Sequence, residues 1–209
     1  MEHLYSFITI CIVLVISPGP NTFLIFNTAA SIGKIDAITK ILGLITATYI
    51  HGLLSLFGIS LIILKSFLLF NIVKLIGASY LLYLGIRFIR SIFITNNEII
   101  RPSILKKTIY KNFQEGFLTQ ILNPKVSMFY LAAFPQFINF KNKDYIDDGL
   151  ILISVHAITI VIWFVFMTFF IGIFLRKKGD LKLMKSITLM SGLFLMYFSF
   201  LLVMQPLPH

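Results

Sequence analysis

Six stretches of about 20 or more mostly apolar residues run through this 209-residue chain, and no soluble domain of that size could bury them all. They cover roughly Leu4–Asn27, Ile38–Leu64, Phe67–Ile89, Phe113–Phe140, Leu150–Leu175 and Ile187–Met204. Each is long enough to cross a hydrocarbon core of about 30 Å. With 58% hydrophobic and 12% charged residues, the composition fits one domain embedded in the lipid bilayer over residues 1–209. Lys65-Ser66 marks a tight turn between the second and third spans, and the other connections are short too. Leu4–Ile16 could pass for the apolar part of a signal peptide. However, Met1-Glu2-His3 carries no positive start and Ser17-Pro18-Gly19-Pro20 is a poor cleavage site, so a retained helix is expected.

The net charge of +10 does not mean nucleic acid, because the basic residues sit between apolar spans and not along a water-facing stripe. They also set direction. The first loop holds Lys34 and Lys40, the third Arg87, Arg90, Arg101, Lys106, Lys107 and Lys111, and the fifth Arg176, Lys177, Lys178, Lys182 and Lys185. The termini and even loops hold only Lys65, Lys74, Lys141 and Lys143. The positive-inside rule then places both termini outside the cytoplasm.

Two spans are interrupted, by Ser17-Pro18-Gly19-Pro20-Asn21 in the first and by Asn123-Pro124-Lys125 in the fourth. A proline lacks an N–H and releases the carbonyl four residues earlier, here those of Leu14, Ile16 and Gln120. Freed backbone inside a membrane is tolerated only where protein or a cavity satisfies it. Gly19 permits close approach to the backbone. Beyond each break a new half-helix starts with exposed N–H groups that suit a carboxylate, while freed carbonyls suit an ammonium. Together they suit an amino acid zwitterion. Lys125 lies about 21 Å along its helix from Lys111, too deep for its side chain to snorkel, so its ammonium must meet a cavity or a partner in the bundle.

The breaks recur with other features. Pro18 and Pro124 are 106 residues apart, His51 and His156 are 105 apart, and Gly77 and Gly192 are 115 apart. This common order predicts two three-helix halves, about 1–95 and 110–209, inserted in opposite directions. The expected fold class is an all-α membrane protein of six transmembrane helices, two inverted repeats with broken first and fourth helices. The candidate substrate-binding residues are Ser17, Pro18, Gly19, Pro20, Asn21, Gln120, Asn123, Pro124 and Lys125.

None of the eight acids lies deep in a span, Glu115 coming closest, so a buried carboxylate does not offer itself for proton coupling. His51 and His156 are the candidates, since an ordinary histidine pKa of about 6.5 allows a charge change near neutrality. The alternative is a neutral histidine that bonds across helices. No cofactor is expected, and no metal site: the histidines and methionines lack carboxylate or thiolate companions at ligand spacing, and Lys125 would repel a cation. The single cysteine, Cys11, excludes a disulfide or paired-thiol centre within one chain. Catalysis would need a nucleophile with its base or clustered acids, and the chain offers neither, so no enzyme is expected. A divalent or soft metal cation exporter and a non-transporting membrane assembly subunit are the other readings. Gly52, Gly58 and Gly172 would serve close helix packing in the latter. Trp163 is read as packing, with Tyr110 and Tyr145 as interface anchors. Homo-oligomerisation is left open.

At these residues the chain resembles the lysine exporter (LysE/RhtB) family of amino acid efflux proteins. Ser17-Pro18-Gly19-Pro20-Asn21 is similar to that family's opening signature. Gly116-Phe117-Leu118, Asn123-Pro124-Lys125 and Phe134-Pro135-Gln136-Phe137 resemble its fourth-span pattern, and Tyr80-Leu81-Leu82-Tyr83-Leu84-Gly85 fits its third. The resemblance covers the whole chain. It implies a secondary transporter that exports amino acids or their derivatives across the bacterial inner membrane, driven by the proton gradient. Asn21 stands where many relatives carry Asp, which argues for a neutral substrate, homoserine-, threonine- or leucine-like, over a cationic one.

Overall fold

A computed structural model describes residues 2–58, 66–94, 108–174 and 181–204. Among these residues every regular element is helical and there is no strand. The first span is two helices, α1 (Glu2–Ile16) and α2 (Pro20–Ser31), bent by 55° at the intervening Ser17-Pro18-Gly19. Pro20 ends one helix and opens the next, because its fixed φ and missing N–H suit a first helical turn. Next come α3 (Lys34–Leu56) and α4 (Phe67–Ile94). The fourth span is in pieces: α5 (Ile109–Ile121), α6 (Pro124–Met128), a π-helical turn over Phe129–Ala133 and a 3-10 turn over Phe134–Phe137. Two long helices finish the fold, α7 (Tyr145–Phe174) and α8 (Leu181–Met204).

Four segments are long and apolar enough to cross a membrane: Lys34–Leu56, Leu68–Phe93, Tyr145–Ile171 and Lys185–Met204. The bent α1–α2 pair makes a fifth if taken as one span. The pieces of the fourth expected span do not qualify by length, because Pro124 interrupts the ladder and the π turn re-registers it.

Small residues set the helix contacts. The backbones of α3 and α5 touch at Gly43 and Gly116, where a Cβ on either would overlap the other helix's main chain. Likewise α4 meets α8 at Gly85 and Gly192: a Cβ at the first would lie 2.8 Å from the Gly192 carbonyl oxygen, and one at the second 3.0 Å from that of Gly85. Gly52 on α3 lets Ile153 of α7 in close. Gly58 has another role than packing, for its φ of +72° forms the turn after α3 and a Cβ there would meet nothing within 4 Å. Between these contacts Ile25, Leu44, Ile160 and Phe164 form one buried cluster, and Phe7, Phe129, Tyr130, Phe134 and Ile153 another. Trp163 packs half-buried against the first.

Three charged residues lie elsewhere than the sequence suggests, and the first is Lys74, which is buried within α4 and not in a loop. Lys40 is not a loop residue: α3 begins at Lys34, and Lys40 is 1% exposed within it. Glu115 is buried in α5, although no acid is expected deep in a span. Lys65, Arg101, Lys106, Lys107, Arg176, Lys177 and Lys178, which entered the orientation argument, lie outside the described residues.

Candidate functional site

The two breaks face each other. The Lys125 ammonium, one residue into α6, donates to the Ser17 carbonyl at 2.8 Å and to the Ser17 hydroxyl at 3.1 Å. It thereby serves a main-chain oxygen left over where α1 stops. Ser17 in turn donates its hydroxyl to the Leu14 carbonyl, which Pro18 had freed. Gly19 is small because this lysine passes it: a Cβ there would lie 3.1 Å from Nζ. In this conformation the group that approaches the Gly19 backbone is therefore the protein's own cation.

The second break is met in the same way. The Gln120 carbonyl freed by Pro124 accepts the Asn123 N–H at 3.1 Å and the His51 Nε2–H from α3 at 3.3 Å. The Asn123 side-chain oxygen caps α6 by accepting the Lys125 N–H at 3.1 Å. With five residues before the π turn, α6 is a short half-helix, so a carboxylate would have to rely on side chains more than on a helix terminus.

Hydrogen-bond direction fixes what remains free. Thr48 donates its hydroxyl to the Leu44 carbonyl, so it accepts from Gln120 Nε2 at 2.7 Å. Gln120 Oε1 therefore faces Asn21 and accepts from Asn21 Nδ2. That leaves Asn21 Oδ1, an acceptor, with no donor, and Asn123 Nδ2, a donor, with no acceptor. Both residues are buried, Asn21 8% and Asn123 0% exposed. Buried amide atoms without partners are rare enough to need a reason.

Asn21, Gln120, Asn123, Lys125 and His156, with Ile160 and Phe164, line one small cavity of about 10 Å³, room for a single water. A wider cavity of about 370 Å³ lies on the other side of Lys125. Gly19, Pro20, Asn123 and Pro124 of the two breaks form one wall, and Phe198, Leu201, Leu202 and Met204 of α8 the other. Of the residues expected at the site only Ser17 and Pro18 line neither cavity; Ser17 acts by receiving the Lys125 ammonium and Pro18 through the bend.

Behind the small cavity the two histidines share one aromatic partner. Tyr130 Oη lies 2.9 Å from His156 Nδ1, and the Tyr130 ring stacks on His51 at 5.8 Å. The π turn carries Tyr130, and the Ser55 hydroxyl donates to its carbonyl at 2.6 Å. Sequence reasoning missed Tyr130, Thr48 and Ser55, because nothing in their local sequence announces a partner 70 or so positions away. Among the described residues no three of His, Cys, Asp and Glu gather to hold a metal ion.

A model of the LysE type translocator matches residues 12–206. The chain belongs to the LysE type translocator family. It is 32% identical over 204 residues to the uncharacterized membrane protein YrhP of Bacillus subtilis strain 168, covering 95% of this chain and 97% of that one. An uncharacterized membrane protein of Vibrio cholerae is 29% identical over 152 residues, 70% of each chain. A leucine efflux protein of Salmonella choleraesuis is 27% identical over 135 residues, 65% of this chain and 63% of its own. No solved structure matches. Proteins of this family are membrane transporters, not enzymes.

Proposed function

We propose that this LysE type translocator exports small neutral amino acids, driven by the proton gradient, through a site built from its two helix breaks. The observation that carries the reading is the pair of unpartnered amide atoms, of opposite polarity, one on each break: Asn21 Oδ1 and Asn123 Nδ2. An amino acid supplies what each lacks. Its ammonium donates to Asn21 Oδ1 and, once Lys125 has moved away, to the Ser17 carbonyl. Its carboxylate accepts from Asn123 Nδ2 and pairs with the Lys125 ammonium. In the substrate-free protein Lys125 occupies the ammonium's place.

The substrate side chain extends into the wider cavity against Phe198, Leu201 and Leu202. That wall has no acid to balance a cationic side chain, which favours neutral, apolar-to-small substrates. The leucine efflux relative supports the same class. His51 and His156, joined through Tyr130, are the coupling groups.

The fold reading that goes with this function is six spans in two inverted halves in the bacterial inner membrane, with both termini outside the cytoplasm. Its support is the pattern of contacts. If the first and fourth, second and fifth, and third and sixth spans are equivalent, the α3–α5 pair should recur as α7 with α1 and α2, while α4–α8 and α3–α7 should pair with themselves. Each of these contacts is present. The test is counterflow in proteoliposomes against labelled amino acids. Exchange of leucine- or threonine-like substrates, lowered about 10- to 100-fold by Lys125→Ala, is the expected result; exchange by no amino acid, or unchanged exchange in the variant, refutes the site.

A further inference from the structure

A cluster of buried charges stands apart from the breaks, one or two turns from the α2–α3 connection. Lys40 on α3 pairs with Glu115 on α5 at 2.8 Å, and Arg87 on α4 pairs with the same carboxylate. The Lys40 ammonium also donates to Thr28 on α2 at 2.8 Å. Asp36 on α3 accepts from Asn112 on α5 at 2.5 Å just beside them. Because Gly43 and Gly116 bring their backbones into contact, α3 and α5 carry Lys40 and Glu115 as one body. Arg87 and Thr28 hold α4 and α2 onto that body.

Among the described residues the equivalent positions at the opposite end form no ion pair. With the spacing of the two halves, Thr28 corresponds to Phe134, Lys40 to Tyr145, Arg87 to Leu202 and Glu115 to Thr9, all of them uncharged. Leu202, at Arg87's equivalent place, lines the wider cavity. Along α8 it lies about 15 Å from Gly192, which touches Ile89 beside Arg87. One end of the bundle is tied by ion pairs, and the other, where the Lys74 ammonium of α4 donates to the main chain of α8 at Val203, holds the cavity that reaches Lys125.

We propose that the Arg87–Glu115 and Lys40–Thr28 contacts form an ionic latch that keeps the α2–α3 end of the transporter closed, biasing the resting protein toward access from the end where α8 finishes. The latch rests on the inverted-halves reading of the proposed function. Buried ion pairs make poor stabilisers but good two-state devices, since parting them is costly and remaking them specific. Arg87 fits such a role: its side chain is 32% exposed while Glu115's is 9%, so it can leave toward water while Lys40 stays paired.

The experiment reads access from each side without any substrate. In a Cys11→Ala background, single cysteines are placed at Thr119 and at Leu202. Thr119 is fully buried on α5, one turn deeper than Glu115, and Leu202 lines the wide cavity. Their rates with a charged, membrane-impermeant thiol reagent are measured in right-side-out and inverted vesicles. Leu202→Cys is expected to react from the α8 end, with Thr119→Cys protected. Adding Arg87→Gln, or separately Thr28→Val, is expected to raise the Thr119→Cys rate from the other side about tenfold or more, and to slow Leu202→Cys. Both changes leave the buried Lys40–Glu115 pair intact, so both proteins should insert. Unchanged rates in both variants overturn the latch, as does failure of both to insert, which would make the contacts purely structural. Failure of the export reading shows separately, as an unaltered protein that exchanges no amino acid.

Discussion

Lys125 and Ser17, 108 positions apart, are joined ammonium to carbonyl at 2.8 Å, so each helix break is completed by the other. The lysine is more than a charge tolerated in an apolar bundle. In the proposed site it takes the place of a bound ammonium, and its release is part of opening that site.

Replacement of Lys125 should therefore separate function from folding. Lys125→Ala leaves the Ser17 carbonyl without its main donor, a loss of about 1.5–3 kcal/mol of charged hydrogen bonding. Counterflow is expected to fall about 10- to 100-fold, while the amount of protein recovered from membranes stays close to the parent's. Measuring both in one preparation distinguishes a site residue from a structural one.

Two glycines should respond in opposite ways. At Gly19 a Cβ meets the far end of the Lys125 side chain, which can yield, so Gly19→Ala should insert normally and raise KM by displacing the ammonium. At Gly116 a Cβ would run into the Lys40 main chain, which cannot yield. Gly116→Ala should cost about 3 kcal/mol or more and lower Tm or yield. Thermal unfolding in detergent beside transport kinetics checks the contrast.

Asn21 offers a change of substrate. Asn21→Asp keeps an acceptor facing the cavity and makes it anionic, at the expense of the bond to Gln120 Oε1. Inhibition of exchange by lysine or arginine is expected to strengthen about tenfold, the difference between a neutral and a charged hydrogen bond. Competition curves for cationic and neutral amino acids in both proteins provide the measurement.

The histidine pair predicts a division between coupling and exchange. His51→Gln with His156→Gln should abolish accumulation driven by a proton gradient and spare counterflow, which needs no net proton movement. Tyr130→Phe, which removes the hydroxyl 2.9 Å from His156, should show the same division more weakly. Full gradient-driven transport in the double variant removes the histidines from coupling.

What could be read beforehand follows the range of the signal. Prolines at 18, 20 and 124 act on their own backbone, so the breaks and the carbonyls they free were legible from local chemistry. Apolar length likewise located the long helices, though it stretched the fourth span across a π turn that no Gly or Pro announces within Phe129–Ala133. Lys40 and Glu115 were misplaced because hydropathy counts a charge as a helix end, whereas a partner 75 positions away lets each enter the bundle. The glycines beside them, Gly43 three residues on and Gly116 next door, were the available hint, since small residues mark where two backbones meet.

The Gly43–Gly116 contact constrains any motion this protein can make. With main chain against main chain, neither helix can slide or roll past the other without a clash, so α3 and α5 form a single lever and the crossing is its fulcrum. In the proposed latch, rotation about that point would part Lys40 from Thr28 and shift Gln120 against Asn21 together. Prying at one end and regripping at the other would then be the same movement, timed by a rigid pair of helices.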